Sequence, residues 1–136
     1  MGFTFKKEER LCSRQLIDRL YAEGHRLMAF PYSVQWMTLE SGEPLSHPAT
    51  QVMIVAPKRK FHHAVDRNRV RRLTRECYRL RKHALYDFLQ QHGLTLVFSM
   101  VYIHNEMMSY EQLGHKMDKL LAALQKDILA HQQPTP

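Results

Sequence analysis

The stretch from Lys58 to Lys82 constrains the fold more than any other part of this chain, because it combines an amphipathic helix with a concentration of positive charge. It holds 11 of the chain's 20 Lys and Arg residues against two acids, Asp66 and Glu76. From Asp66 onward, apolar residues recur at spacings of three and four, which predicts a helix with one buried stripe. The stripe consists of Val70, Leu73, Cys77, Leu80 and Ala84. Asp66 has the side chain of a good N-cap and is predicted to start this helix.

The opposite face of the predicted helix carries arginines instead of a mixture of charges. Like charges four residues apart destabilise a helix by roughly 0.2–0.5 kcal/mol per pair, so a purely structural helix is not expected to carry such a row. The planar guanidinium group suits phosphate oxygens and also stacks on bases. The pattern therefore favours nucleic acid as the partner of this face. Its residues are Arg67, Asn68, Arg71, Arg72, Arg75, Arg79 and Lys82.

Length and charge bound the remaining possibilities. A chain of 136 residues with 44% hydrophobic content predicts one domain, residues 1–136, with residues 1–10 and 131–136 as flexible tails. The net charge of +7 favours an anionic partner, with a membrane surface as the weaker alternative. We expect a cytoplasmic protein, because no apolar run approaches the length of a membrane span and the charged N-terminus does not resemble a signal peptide. Cys12 and Cys77 are predicted to be reduced thiols, and the scattered histidines predict no metal site.

The rest of the chain completes an α-β-β-α-β-α order. Ser13 and Gly24 predict the two ends of a short first helix, and Ser109 with Gln112 forms a capping box before the last one. The apolar run 52–56 predicts a strand buried on both faces in the middle of the sheet, joined to the preceding strand as a hairpin. The class is α+β, with helices on one side of a small sheet. The predicted segments are helix 14–23, strand 27–39, loop 40–50, strand 52–56, helix 66–91, strand 94–103 and helix 109–130.

The basic segment resembles the protein subunit of bacterial ribonuclease P. The run from Arg67 to Glu76 matches that family's RNR-x-(K/R)-R-L-x-R-E pattern, and Lys58-Arg59-Lys60 precedes it. Arg10-Leu11, followed by the short helix ending at Gly24, is also similar to the family's opening, so the resemblance covers roughly residues 5–105. It implies a left-handed crossover in the parallel strand-helix-strand unit.

The resemblance also implies a function. In that family a catalytic RNA holds the Mg²⁺ and hydrolyses the phosphodiester bond that joins the 5′ leader to precursor tRNA, and the protein, expected to be a monomer in the complex, binds both RNAs. We therefore expect no catalytic and no metal-binding residue on this chain. The implied contacts to RNA are Lys58, Arg59, Lys60, Arg67, Asn68, Arg69, Arg71, Arg72, Arg75 and Arg79. The implied cleft for the leader contains Ile17, Tyr21, Gln35 and Trp36.

This sequence departs from the family pattern in two places. Ile17 and Gln35 stand where aromatic residues are usual, although a shift of one residue would substitute Trp36 for Gln35 and change the face of the strand. The loop from Lys58 to Val65 is one residue longer, with Phe61-His62-His63 where a glycine is common. The main alternative function is a generic RNA-binding or ribosome-associated module. A DNA-binding helix and a stand-alone nuclease are further alternatives, but the carboxylates show no clustering typical of a metal-dependent nuclease.

Overall fold

The structure is a computed structural model, and it describes residues 9–39 and 50–132. The α+β class predicted from the sequence is confirmed, with one strand more than expected, because the segment predicted as strand 27–39 is two strands. The elements are α1 (Arg14–Glu23), β1 (His25–Ala29), β2 (Tyr32–Leu39), β3 (Thr50–Val55), α2 (Ala64–Gln91), β4 (Thr95–Tyr102) and α3 (Tyr110–Gln132).

The strands form one sheet in the order β1-β2-β4-β3. β2 is antiparallel to both β1 and β4, whereas β3 is parallel to β4. The parallel strand-helix-strand unit is therefore confirmed. The predicted hairpin between β2 and β3 is wrong, because β4 lies between them. The hand of the crossover stays a prediction.

The position of β3 also differs from the prediction. It is at the edge of the sheet, and only Thr50 and Val52 of this strand are buried. A short segment before α1 runs beside it, where the Leu11 N–H donates to the Val52 carbonyl at 2.9 Å. A short apolar run does not distinguish a central strand from an edge strand that is partly covered in this way.

The break between β1 and β2 falls at Phe30 and Pro31, which are joined by a cis peptide bond. Pro31 lies outside the strand pairing, as predicted, and its carbonyl accepts from the Ile103 N–H at 2.8 Å. β1 is mostly exposed and shows little apolar alternation, which is why the sequence pattern did not separate it from β2. The predicted loop 40–50 falls mostly on residues 40–49, which lie outside the described residues.

Helices cover both faces of the sheet, so the expectation of a one-sided arrangement is wrong. On one face, α2 and α3 pack against the side that carries Trp36 and Phe98. On the other, α1 packs Leu20 against Met37 and Val97. Neighbouring residues of a strand point to opposite faces, so the consecutive buried pair Trp36-Met37 requires a cover on each side.

The helix boundaries follow the caps read from the sequence, except at the start of α2. The Ser13 hydroxyl accepts from the Leu16 N–H at 3.3 Å, and Ser109 and Gln112 form the predicted reciprocal capping box. α2 begins at Ala64 with His63 as its N-cap, so Asp66 is in the first turn instead of capping it. An acid there still interacts favourably with the positive end of the helix dipole.

The buried stripe of α2 begins at Val70, as predicted, but departs from the prediction further along the helix. Val70 and Cys77 are buried as predicted, but Leu80 is 38% exposed and Ala84 is also exposed. The buried positions are Val70, Thr74, Cys77, Tyr78, Lys82, Leu85, Phe88 and Leu89. This stripe drifts around the helix because α2 packs on both the sheet and α3, each from a different direction. After His92, Gly93 has a φ of 63° that favours glycine, which confirms the predicted end of α2.

Candidate nucleic-acid interface

The predicted basic surface is the loop after β3 and the N-terminal half of α2. Its ten predicted RNA contacts all lie at the surface or partly exposed. The exposed members are Lys58, Arg59, Asn68, Arg69 and Arg72, and the half-buried ones are Lys60, Arg67, Arg71, Arg75 and Arg79. The structure thus leaves all ten residues at least partly accessible, and their contact with RNA stays a prediction.

Two of these side chains organise the loop before α2. The Arg67 guanidinium donates to the carbonyls of Phe61 and His62, both at 2.9 Å. Lys60 donates to the Asn105 side chain at 3.0 Å, which ties the loop to the segment after β4. The sequence Phe61-His62-His63 therefore has a defined path here, with the Phe61 ring buried against Tyr102.

Arg79 differs from the other arginines because it is neutralised within the helix. It donates to both oxygens of Glu76, at 2.9 and 2.7 Å. This hydrogen-bonded pair lowers the pKa of Glu76 and raises the pKa of Arg79. An arginine already bound to a carboxylate adds little net charge, so we expect Arg79 to contribute least of the ten predicted contacts.

Lys82 is a correction to the sequence analysis, which placed it on the basic face. Its side chain is buried, and its ammonium group donates to the Glu9 carboxylate. The Tyr86 hydroxyl donates to the same carboxylate oxygen at 2.6 Å. Residues 1–10 were predicted to be a flexible tail, but Glu9 is only 4% exposed and Arg10 pairs with β3. The remainder of that segment, 1–8, lies outside the described residues, as does 133–136 of the other predicted tail.

Three of the four residues predicted for the leader cleft, Ile17, Tyr21 and Gln35, lie on α1 or on the face of the sheet that α1 covers, and the cleft itself stays a prediction. Tyr21 is 45% exposed, and its hydroxyl donates to Ser99 at 3.5 Å. Gln35 pairs with Ser99 across β2 and β4, so it lies on the same face. Ile17 is half-buried against the core under α1. Tyr21 is therefore the aromatic residue of this cleft that presents a ring to solvent.

Trp36 is the second correction, because it does not belong to this cleft. It is 1% exposed and faces α2 and α3, on the other side of the sheet. Its indole N–H donates to Asp127 of α3 at 2.8 Å, and its ring contacts His25 and His131. The strand register thus selects Gln35 over Trp36 as the residue facing the cleft.

One basic residue that the sequence analysis did not identify lies on the same face of the sheet as Gln35. Arg26 of β1 is the direct partner of Gln35, and residues opposite each other in neighbouring strands share a face. Arg26, Gln35, Ser99 and Met53 consequently form a row across the four strands. Recognising β1 as a separate strand would have been needed to find it.

Neither cysteine forms a disulfide, as predicted, and Cys77 is buried whereas Cys12 is exposed. Burial raises the pKa of the Cys77 thiol. Within residues 9–39 and 50–132, no three His, Cys, Asp or Glu side chains converge as ligands for a metal ion. Among the described helices, none combines the length and hydrophobicity needed to span a bilayer.

Comparison with known proteins identifies the family to which this chain belongs. The profile of the Ribonuclease P family matches residues 5–125. The chain therefore belongs to the Ribonuclease P protein family. It is 31% identical over 119 residues to the ribonuclease P protein component of Porphyromonas gingivalis, covering 88% of this chain and 85% of the relative. The corresponding component of Chlorobium phaeobacteroides is 29% identical over 125 residues, covering 87% and 86%.

Solved structures of the family share the fold. The Staphylococcus aureus RNase P protein has a TM-score of 0.58 at 15% identity, covering 85% of this chain and 94% of that one. A mutant of the S. aureus protein has a TM-score of 0.64 at 18% identity, covering 87% and 89%. The resemblance inferred from the RNR run is thus confirmed by family membership.

Proposed function

We propose that this chain is the protein subunit of a ribonuclease P ribonucleoprotein, which assists a catalytic RNA in removing the 5′ leader of precursor tRNA. The reaction is the Mg²⁺-dependent hydrolysis of one phosphodiester bond. In this proposal the catalytic RNA holds the Mg²⁺ and supplies the catalytic groups, and the protein, as a monomer, binds both RNAs. The observation that carries it is the arginine surface of α2, which lies within the segment matched by the family.

The role of this surface is to neutralise phosphates of the catalytic RNA. Each neutralised phosphate releases counterions, so the logarithm of the binding constant should fall with the logarithm of salt concentration by roughly 0.7–0.9 per contact. Arg72 is a good test of this role because its side chain is exposed and lies away from the buried stripe of α2.

The second binding surface is the cleft between α1 and the sheet, which we propose for the single-stranded leader. Tyr21 offers one exposed ring for stacking, and a base stacked on an aromatic side chain contributes roughly 1–3 kcal/mol. Arg26, on the same face of the sheet, supplies a positive charge near the path of the backbone. With Ile17 and Gln35 in place of aromatics, leader binding here depends on Tyr21 more than on a pair of stacking residues.

The test compares variants of the two surfaces in binding and cleavage assays with the catalytic RNA, precursor tRNA and mature tRNA. Arg72→Ala should weaken assembly with the catalytic RNA and make its salt dependence shallower by about 0.7–0.9. Tyr21→Ala should leave that assembly nearly unchanged but reduce the preference for precursor over mature tRNA, because only the precursor has a leader. Lys119→Ala removes an exposed charge from α3 and serves as the matched control.

Two results would contradict the proposal. If the protein bound unrelated RNAs as tightly as the catalytic RNA at the same salt concentration, and did not stimulate cleavage, a generic RNA-binding module would be the better description. If Arg72→Ala and Tyr21→Ala caused the same loss with both RNAs, the chain would not have two separate RNA surfaces.

A further inference from the structure

Phe30 differs from the other phenylalanines that the structure describes, because its ring reaches solvent. It is 49% exposed, whereas Phe61, Phe88 and Phe98 are buried. Phe30 lies in the turn between β1 and β2, and its ring centroid is 5.0 Å from that of His104, which follows β4. The two ring planes are tilted by 56°, so neither ring covers the whole face of the other. We call these two residues the turn pair.

Hydrogen bonds of the neighbouring residues hold the turn pair in place. The Pro31 carbonyl accepts from the Ile103 N–H at 2.8 Å, which brings the residue before Pro31 beside the residue after Ile103. The segment after β4 is fixed further along, where the Tyr102 hydroxyl donates to the Glu106 carbonyl at 2.7 Å. Rings that are positioned before a ligand arrives reduce the ordering cost of binding.

Contacts between rings connect the turn pair to the core under α2. The Tyr102 ring centroid lies 6.4 Å from that of His104 and 5.8 Å from that of Phe61. Tyr102 and Phe61 both belong to the core cluster that α2 and α3 cover. The predicted leader cleft involves the other face of the sheet, where α1 packs and where Tyr21 contacts Ser99. The turn pair is therefore distinct from the predicted leader cleft.

The turn pair also adjoins the basic loop before α2 but differs from it in charge. Lys60 donates to the Asn105 side chain at 3.0 Å, so this loop is attached one residue away from His104. The segment 103–109 itself contains no Lys or Arg and one acid, Glu106. A carboxylate disfavours a phosphate nearby, whereas an uncharged base can stack on an aromatic ring whatever its sequence. The chemistry at the turn pair thus suits a base instead of a phosphate.

We propose that Phe30 and His104 form a stacking platform for one unpaired nucleobase of RNA. The proposal rests on the proposed function for its RNA and adds a base contact to the phosphate contacts of α2. Proteins that bind single-stranded RNA combine a positively charged path for the backbone with aromatic rings for the bases. The base must be unpaired, because only an unstacked base can lie on a side chain. The exposed cations Lys58 and Arg59 of the adjacent loop favour RNA over a protein partner.

Ultraviolet crosslinking locates the contact in the unmodified protein. A ring stacked on a base is well placed to form a covalent bond with it on irradiation. The holoenzyme with precursor tRNA is irradiated, with either the catalytic RNA or the precursor isotopically labelled, and the joined peptides and nucleotides are identified by mass spectrometry. We expect a crosslink at Phe30 or His104. The label on the attached nucleotide shows whether the catalytic RNA or the precursor supplies the base.

Variants of Phe30 then separate stacking from attraction between charges. Phe30→Leu keeps an apolar side chain but removes the ring, so it should weaken binding of the crosslinked RNA by roughly five-fold or more. The salt dependence of binding should stay unchanged, because no phosphate contact is lost. Phe30→Trp keeps a ring and should retain the affinity. Leu129→Ala, which changes an exposed apolar residue of α3, is the matched control and should bind as the wild type does.

A second variant covers the case in which Phe30→Leu disturbs the turn. His104→Leu removes the other ring and leaves the residues of the turn unchanged, so it should weaken binding of the same RNA, again with unchanged salt dependence. Urea midpoints of both leucine variants should match that of the wild type, because Phe30 is half exposed and His104 is only partly buried. A loss of affinity without a loss of stability then reports the contact with RNA.

Four results would each overturn the proposal: no crosslink at either ring with either RNA, wild-type affinity in both leucine variants, a loss in Phe30→Trp as large as in Phe30→Leu, or a shallower salt dependence in the leucine variants. If the leucine variants bound normally while the wild-type protein stimulated leader removal, the platform would fail and the proposed function would stand. If the crosslink formed but the protein did not stimulate leader removal, the proposed function would fail and the platform would stand.

Discussion

The buried ion pair between Glu9 and Lys82 tests whether Lys82 stabilises the fold or belongs to the RNA-facing surface. From its position among arginines, Lys82 would be expected to face RNA, but its ammonium group donates to the buried Glu9 carboxylate. The side chains of Lys82 and Glu9 are each 5% exposed, and Tyr86 donates to the same carboxylate. Replacing Lys82 by Met keeps an unbranched side chain that is one atom shorter and removes its charge, leaving a buried carboxylate with the neutral Tyr86 hydroxyl as donor.

The magnitude follows from that geometry. Removing one partner of a buried ion pair typically costs about 3–5 kcal/mol, because the remaining charge is left uncompensated. Tyr86 still donates to Glu9 in the variant, so we expect a loss near the lower end, about 3 kcal/mol. With a urea dependence of roughly 1–3 kcal/mol per molar, the midpoint of unfolding should fall by roughly 1–3 M.

The assay is a double-mutant cycle in urea with Lys82→Met, Glu9→Gln and the double variant. The two residues share one contact, so their coupling energy should be about 0.5–3 kcal/mol and the double variant should be less destabilised than the sum of the singles. Lys119→Met, on the exposed face of α3, controls for the loss of one positive charge. The reasoning would be refuted if Lys82→Met retained the wild-type midpoint and instead reduced the salt dependence of RNA binding, as a residue on the RNA-facing surface would.

Three further predictions concern the core. Cys77→Ser should lower the free energy of unfolding, measured in urea, by roughly 1–3 kcal/mol. The Cys77 Sγ lies 3.8 Å from the Tyr110 carbonyl, and the serine hydroxyl, on a shorter bond, would stay unpaired. Equal stability of the variant and the wild type would contradict this. Trp36→Phe should lower the free energy of unfolding by roughly 1.5–3 kcal/mol, because the hydrogen bond to Asp127 is lost. Binding of precursor tRNA should stay unchanged. A selective loss of leader binding would instead place Trp36 in the cleft. Burial raises the pKa of Tyr32 above its usual range. The stability contributed by the protonated Tyr32 hydroxyl is therefore complete below the unfolded-state pKa of about 10 and is lost as the pH rises further. The urea midpoint of the protein should fall above that pH, and it should fall less in Tyr32→Phe.

Features that depend on neighbouring residues could be predicted from the sequence. The caps at Ser13 and Ser109 each use hydrogen bonds to residues three positions away, and the turn at Gly93 requires one residue with positive φ. These interactions involve side chains that the sequence presents next to each other. The apolar face of α3 was predictable for the same reason, since its period of three to four residues is local. Its predicted core residues, Leu113, Met117, Leu120, Leu124 and Ile128, are all fully buried.

Features that depend on distant residues could not be predicted in the same way. Lys82 and Glu9 are 73 positions apart, and Trp36 and Asp127 are 91 apart, so neither pair is visible as a pattern. In both cases the sequence-based expectation treated a polar group or a large aromatic ring as a surface feature. In the structure, each side chain is buried because a distant residue pairs with its polar group. The one-residue ambiguity at Gln35 and Trp36 was likewise decided only by the pairing of β2 with β4.

Partners within the protein also explain why only some of the cations of the basic segment remain exposed. Toward the C-terminal end of the basic segment, Arg79 is paired with Glu76, Arg81 donates to Asp118 of α3 at 2.8 Å, and Lys82 is buried against Glu9. Near its N-terminal end, Arg69 and Arg72 have exposed side chains. The positive charge available to a polyanion is therefore concentrated in the first turns of α2 and the loop before it. Counting arginines along the sequence therefore overestimates the positive charge that this helix offers to a polyanion. Arg79 is neutralised within α2, Arg81 holds α3 against it, and Lys82 holds the N-terminal segment.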